Sequence, residues 1–217
     1  MELYKNIVEW SLPLGHEKEL IDYISARLPQ HSDGTFLDIG ANVGTWTLHL
    51  HNRFKQVLAF EPLDHVRTAL YENIRLNNIH NTIVVPTALS DKEGTADLTY
   101  YTTGGHATLL PSHPIGGIHV GNRIAAVPVN TSTIDAIFDK AQGQYPYVIS
   151  FVKIDTEGSE LNIVRGGIKT INKHKPMMLI EIHDNFHIDA IRELLPDREW
   201  IEYKWSEQIY LISLEDK

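Results

Sequence analysis

Phe36-Leu37-Asp38-Ile39-Gly40-Ala41-Asn42-Val43-Gly44 runs an apolar strand into a glycine-rich turn, and Ala59-Phe60-Glu61-Pro62 follows about twenty residues later. A strand, a tight turn, a helix and a second strand ending in an acid form the layout that holds a nucleoside cofactor. Gly40 and Gly44 carry no Cβ, so the backbone can turn sharply and approach a ligand. Asn42 is among the few other residues that tolerate a left-handed conformation. Glu61, at the carboxyl end of the second strand, can accept hydrogen bonds from both hydroxyls of a ribose. A dinucleotide site reads G-x-G-x-x-G around a pyrophosphate, whereas here Asp38 stands in front and Asn42 replaces the middle glycine. An acid at that position repels a pyrophosphate and can help hold an α-amino group, which favours S-adenosylmethionine over NAD.

A second chemically capable set falls at the ends of two later strands: Asp155 ends one, and Glu181, His183 and Asp184 end the other. Ligands bind at such carboxyl ends in open parallel sheets. For a hydroxyl attacking a methyl sulfonium, a general base contributes roughly 10²- to 10⁴-fold. His183 is the expected base, since an unperturbed imidazole titrates at about 6.5; the competing reading is a ring that satisfies a backbone group at the strand end. Asp155 and Glu181 are the other catalytic candidates. Asp155 and Glu157 either orient a ligand or cap the helix that begins near Gly158. Lys153 reads as a structural partner to a nearby acid. Asp155, Glu181 or Asp184, and Asn185 are also hard oxygen ligands suited to Mg²⁺ holding a substrate diol. His106, His113 and His119 form no recognised zinc pattern and read as a scattered solvated set.

The elements that position these residues alternate as a parallel sheet requires. Leu20, Ile21, Ile24 and Leu28 mark one face of a leading helix, and the first strand ends at Ile39. Val43, Trp46, Thr47, Leu50 and Phe54 mark the helix after the turn. Residues 55–60 form the second strand, Asp64 caps a helix running to 77, and residues 82–86 form the third strand. Strand character over 95–101 and 124–130 flanks the long irregular stretch 102–123, which reads as a lid or substrate-binding segment or as a surface insertion. A short helix over 133–140, a strand over 147–154, a helix over 160–172, a strand over 177–182 and a helix over 187–195 follow. Residues 200–204 and 208–213 make a closing hairpin. A methyltransferase sheet of seven strands ends in such an antiparallel strand, and an NAD-binding sheet does not.

Composition bounds the partners. The 217 residues are 42% hydrophobic, enough for one domain over 1–217 with a helical lead-in over 1–33. No apolar run is long enough to span a membrane, and the charged stretch 1–10 is not a secretory signal. Cysteine is absent, which excludes disulfides and thiolate nucleophiles and is compatible with a cytoplasmic protein. A formal charge of −9 argues against nucleic acid as a partner. Nothing in the chain sets an oligomeric state.

Leu37 to Gly44, Phe60-Glu61-Pro62, Ala88-Leu89-Ser90-Asp91, Thr133-Ile134-Asp135 and Val152-Lys153-Ile154-Asp155-Thr156-Glu157-Gly158-Ser159-Glu160 together resemble the FkbM family of S-adenosylmethionine-dependent methyltransferases. The likeness covers residues 34–183, with the blocks in the family's order. It implies a class I methyltransferase (Rossmann-like) α/β fold: a seven-stranded, mostly parallel sheet with helices on both faces and an antiparallel C-terminal hairpin. It implies methyl transfer to a hydroxyl of a sugar, polyketide or other small metabolite, hence a small-molecule or glycan acceptor. It also implies that Asp38, Gly40, Asn42 and Gly44 surround the methionine part of the cofactor and that Glu61 holds its ribose. Thr87 and Ala88 fall where such folds contact adenine; the other reading of 88–94 is a tight turn. A nicotinamide-dependent reductase, a non-catalytic cofactor-binding module and a nucleic-acid methyltransferase are the alternatives.

Overall fold

A computed structural model of the chain describes residues 15–101, 107–109, 123–141, 148–205 and 208–214. In chain order the elements are α1 (Gly15–Ser25), β1 (Ser32–Ile39), α2 (Thr45–Leu50), β2 (Phe54–Phe60), α3 (Asp64–Leu76), β3 (Thr82–Val85), β4 (Ala88–Leu89), β5 (Gly94–Tyr101), β6 (Ala107–Thr108), β7 (Arg123–Ser132), α4 (Ile134–Ala141), β8 (Ile149–Ile154), α5 (Glu160–Arg165), α6 (Ile168–His174), β9 (Met177–Ile182), α7 (Phe186–Leu194), β10 (Trp200–Trp205) and β11 (Gln208–Ser213). The main sheet has seven strands in the order β10-β11-β9-β8-β1-β2-β3. Its β1, β2, β3, β8 and β9 are mutually parallel, and β11 runs antiparallel to both β9 and β10. The chain moves outward from β1 to β3 and then restarts at β8 on the other side of β1, so the crevice lies beyond the carboxyl ends of β1 and β8.

Two apolar layers sandwich this sheet because side chains alternate along each strand. Leu37, Leu58, Val152, Ile154, Met178, Ile180 and Leu211 pack on one face with Ile134, Leu161, Val164, Ile171 and Ile191 from α4 to α7. Phe36, Val57, Phe151, Leu179 and Ile212 pack on the other with Leu20, Ile21 and Ile24 of α1 and Trp46 and Leu50 of α2. Register carries the second face into the crevice: Asp38 sits opposite Lys153 across β1 and β8, and Glu181 sits opposite Tyr210 across β9 and β11. By the same alternation Asp38, Lys153 and Glu181 share the face covered by α1.

Several boundaries differ from expectation. The helix after the turn is shorter than the apolar pattern suggested, because Phe54 is already extended (φ −124°, ψ 151°) and its ring lies 5.4 Å from that of Phe36 as part of the sheet's aromatic layer. The single helix expected over 160–172 is two, α5 and α6. A Cβ on Gly166 would stand 2.1 Å from the Ser90 carbonyl oxygen, so the glycine is where this chain and the β4 end touch. Asp64 lies in the first turn of α3, with Leu63 as its cap residue. The strands expected over 95–101 and 124–130 form, as β5 and β7, within a second sheet of order β4-β7-β5-β6. Ala88, read with Thr87 as an adenine contact or as the start of a tight turn over 88–94, forms with Leu89 its edge strand: Ala88 pairs with Thr131 and packs with Leu63, Leu98 and Val129.

Candidate active site

The glycine turn is built as its residue types require, with φ of 73° at Gly40, 51° at Asn42 and 99° at Gly44. The Asn42 N–H donates to Glu61 Oε2 at 3.1 Å and the Leu63 N–H to Oε1 at 2.8 Å. Each carboxylate oxygen thus spends one acceptor position and keeps another, which fits the two hydroxyls of a ribose. Burial pushes the Glu61 carboxyl up to about 7 against those two hydrogen bonds. Gly40 serves the fold: a Cβ there would lie 1.9 Å from the Asp155 carbonyl oxygen. Asp38 is fully buried and accepts from the Thr47 N–H at 3.1 Å and the Thr47 hydroxyl at 2.6 Å. Its carboxylate therefore fastens the first turn of α2 from beneath. Thr87 is half-buried beside β4, with its N–H on the Val85 carbonyl.

Beyond this turn the sheet face is charged. Lys153, almost fully buried, donates to the Gly40 carbonyl at 2.7 Å and lies 3.5 Å from Asp38 and 3.4 Å from Asp155. Those carboxylates hold its ammonium above the ordinary lysine range in spite of burial. Glu181 receives the Gln208 side-chain N–H at 3.1 Å. Burial and the neighbouring Asp155 and Glu157 push its carboxyl well above 4.5. Glu17, which the sequence reading passed over, reaches the same face from α1. Burial and the charges of Asp155 and Asp38 push it up to about 7 against Lys153 and Trp46. The available signal was its place three and four residues before Leu20 and Ile21, on the buried stripe of α1.

His183 is not placed as a base. Its Nδ1 lies 3.0 Å from Glu160 Oε1 and its Nε2 lies 3.1 Å from Glu157 Oε2. The two carboxylates hold the ring protonated, its pKa pushed up to about 12 although burial opposes the charge. A ring protonated on both nitrogens has no lone pair with which to take a proton. Glu160, also missed, is fully buried, accepts the Gly158 N–H at 2.8 Å and lies 3.4 Å from His187 Nδ1. Burial raises its carboxyl, but the hydrogen bond and charge of His183, with His187 beside it, outweigh that and bring it down to about 2.

The residues that could have held Mg²⁺ divide. Asp184 accepts the Phe186 N–H at 3.0 Å just before α7, and Asn185, the cap residue of that helix, is exposed. Donor atoms of Asp155, Glu181 and His183 lie within 4.8 Å of one another. Lys153 and the His183 ring already supply the cations those carboxylates face, so the residues do not favour a metal there. The second sheet reaches the crevice through β6, where Thr108 Oγ1 would lie 3.9 Å from a Cβ on Gly158. Apart from 107–109 and Arg123 the expected lid lies outside the described residues, as do His106, His113, His119 and the stretch 1–10. Among the described residues no helix is long and apolar enough to cross a membrane.

Comparison with known proteins fits this geometry. "Methyltransferase 1" of Beauveria bassiana is 24% identical over 162 residues, covering 70% of this chain and 65% of that protein. "Methyltransferase sdnD" of Sordaria araneosa is 27% identical over 166 residues, covering 66% and 63%. The chain therefore spans less than two-thirds of the length of these curated relatives. Among solved structures, a methyltransferase FkbM from Methylobacillus flagellatus superimposes with a TM-score of 0.60 at 19% identity, over 86% of this chain and 45% of that one. A Streptococcus mutans methyltransferase solved in complex with SAH gives 0.53 at 11% identity, over 91% and 97%. These likenesses establish the class I methyltransferase fold. The sequence profile of the methyltransferase FkbM domain matches residues 38–201, and the chain belongs to that family.

Proposed function

We propose that this protein transfers a methyl group from S-adenosylmethionine to a hydroxyl of a sugar or other small metabolite. The observation that carries the reading is Glu181, a partly buried carboxyl held well above 4.5 at the carboxyl edge, in a crevice that also contains Glu61, the proposed ribose acceptor. A carboxylate of raised pKa is a competent proton acceptor near neutral pH. Family membership and the two methyltransferase relatives support the reaction class.

When bound, the cofactor supplies a methyl group on a positively charged sulfur, which is already a strong electrophile. The protein's part is placement and proton transfer. Glu61 accepts the ribose hydroxyls, while Asp38 and Lys153 hold the turn between β1 and β8. Asp155 and Glu181 orient the acceptor hydroxyl, and Glu181 takes its proton as the oxygen attacks. Gln208 fixes the Glu181 carboxylate, and the positive charges of His183 and Lys153 restrain its pKa from rising further. The formal charge of −9 favours a small or glycan acceptor over a phosphate polymer.

Incubating the protein with methyl-labelled S-adenosylmethionine and fractionated small molecules, glycans and RNA tests this reading. Label is expected in a hydroxyl of a small-molecule or glycan fraction. Label confined to RNA, or attached to nitrogen or carbon, would overturn the acceptor class.

A further inference from the structure

Glu17 is a carboxylate that the proposed reaction leaves unused. It precedes Leu20, Ile21 and Ile24 at the spacing that puts all four on one helix face, and those three are buried against the sheet. Glu17 thus begins an otherwise apolar stripe and points at the charged end of the sheet. Every element packed around it contributes a group. Trp46 of α2 lies beside it, β1 presents Asp38, and β8 presents Lys153 and Asp155. Tyr210 of β11 feels its charge, and Glu181 of β9 faces the same Asp155.

The balance of these charges is uneven. Lys153 is the cation that faces Glu17, and it is committed to the Gly40 carbonyl at 2.7 Å and to Asp38 and Asp155 at 3.5 and 3.4 Å. His183 is committed to Glu157 and Glu160. Among the described residues, the crevice side of α1 therefore holds more carboxylate than the cations there neutralise. A methyl donor with a charged sulfur brings the missing positive charge; its product, with a neutral sulfur, brings one charge less.

Building on the donor reading above, we propose that Glu17 is a specificity-determining residue that sets the preference of the site for the charged methyl donor over the neutral-sulfur product. Such a preference favours product release after each transfer, because the charge that Glu17 attracts disappears when the methyl group leaves.

The preference carries a pH signature. Free Glu17 is held up to about 7 by burial and by Asp155 and Asp38, so below that pH it is increasingly neutral and attracts nothing. A bound cation lowers its pKa, and the proton leaves as the donor binds. Donor affinity therefore rises with pH through about 7 and levels off above it. Glu61 titrates over the same range, but the ribose it faces is common to donor and product, so its effect cancels in their comparison.

Calorimetric titration of the whole chain with S-adenosylmethionine and S-adenosylhomocysteine between about pH 6 and 8 tests the proposal. Each unit by which a bound charge shifts one pKa is worth tenfold, so the preference for donor should grow about tenfold across the window. In Glu17→Gln the preference should stay constant to within about twofold. Retained binding of the product reports that this variant is folded. A pH-independent preference in the native protein overturns the proposal, and so does a preference that still grows in Glu17→Gln, which would place the effect on Glu181. Failure of the native protein to bind either ligand is a different result and overturns the donor reading itself.

Discussion

His183 Nδ1 and Glu160 Oε1 stand 3.0 Å apart and tie the end of β9 to the first turn of α5. With Glu157 on the other ring nitrogen, the pair makes the β8–α5 turn part of the sheet edge. That turn places Glu157 at φ 56° and Gly158 at φ 110°, conformations that need outside support, strongly so for a residue with a side chain. The imidazolium supplies that support, so a histidine at a strand tip serves geometry here.

His183→Ala should therefore destabilise the fold by about 3–5 kcal/mol, the cost of leaving a buried partner charge uncompensated. The pH dependence follows from both partners. The folded pKa of His183 is raised from 6.5 to about 12, so its contribution is complete below 6.5 and fades as pH rises through about 12. Glu160 is lowered from 4.5 to about 2, so its contribution is complete above 4.5 and fades as pH falls through about 2. Thermal melts of the native and variant proteins should differ most between 4.5 and 6.5. A difference that is negligible at every pH would remove the clamp.

Gly40→Ala should lose stability by about 3 kcal/mol, because a side chain at positive φ is strained and this one overlaps a neighbouring backbone. The overlap is with the Asp155 carbonyl oxygen at 1.9 Å. Cofactor affinity should fall only as a consequence of β1 and β8 moving apart. A variant with native stability and no cofactor binding would instead place the glycine against the ligand.

For Glu61→Gln, cofactor affinity should drop by about 1–3 kcal/mol, the usual loss for a charged hydrogen-bond partner. Glutamine preserves an acceptor for one of the two backbone N–H groups that Glu61 satisfies, so it isolates ribose binding better than alanine. Calorimetry at pH 8 checks it; an unchanged dissociation constant would mean that another group holds the ribose.

Glu181→Gln should lower kcat roughly 10²- to 10⁴-fold and leave cofactor affinity within about threefold, since a general base acts in the transition state. In the native enzyme kcat should rise with pH through a carboxyl displaced well above 4.5, with no contribution from an imidazole near 6.5 because His183 stays charged there. A Glu181→Gln enzyme of native kcat would leave Asp155, or placement alone, to do the work.

The parts of this protein that could be read from the chain are those whose partners lie close along it or repeat with a period. The Asp38–Gly44 turn and Glu61 follow one another within a single β-turn-α-β unit, so residue type and spacing describe them almost completely. Alternation of two and of about 3.6 residues likewise marks strands and helices before any packing is considered. The class I sheet and its antiparallel closing strand were legible for that reason.

Charge states and reach belonged to the tertiary structure. An acid in the first turn of a helix, as Glu17 and Glu160 both are, reads from sequence as a complement to the helix dipole. Only packing shows that α1 aims Glu17 at Lys153 and that α5 buries Glu160 beneath a histidine 23 residues away. In the same way His183 has a mid-range pKa as an isolated side chain and a much higher one between two carboxylates. Burial and Coulomb interactions depend on distances through space, and the register of β1, β8 and β9 sets those distances after the chain has folded.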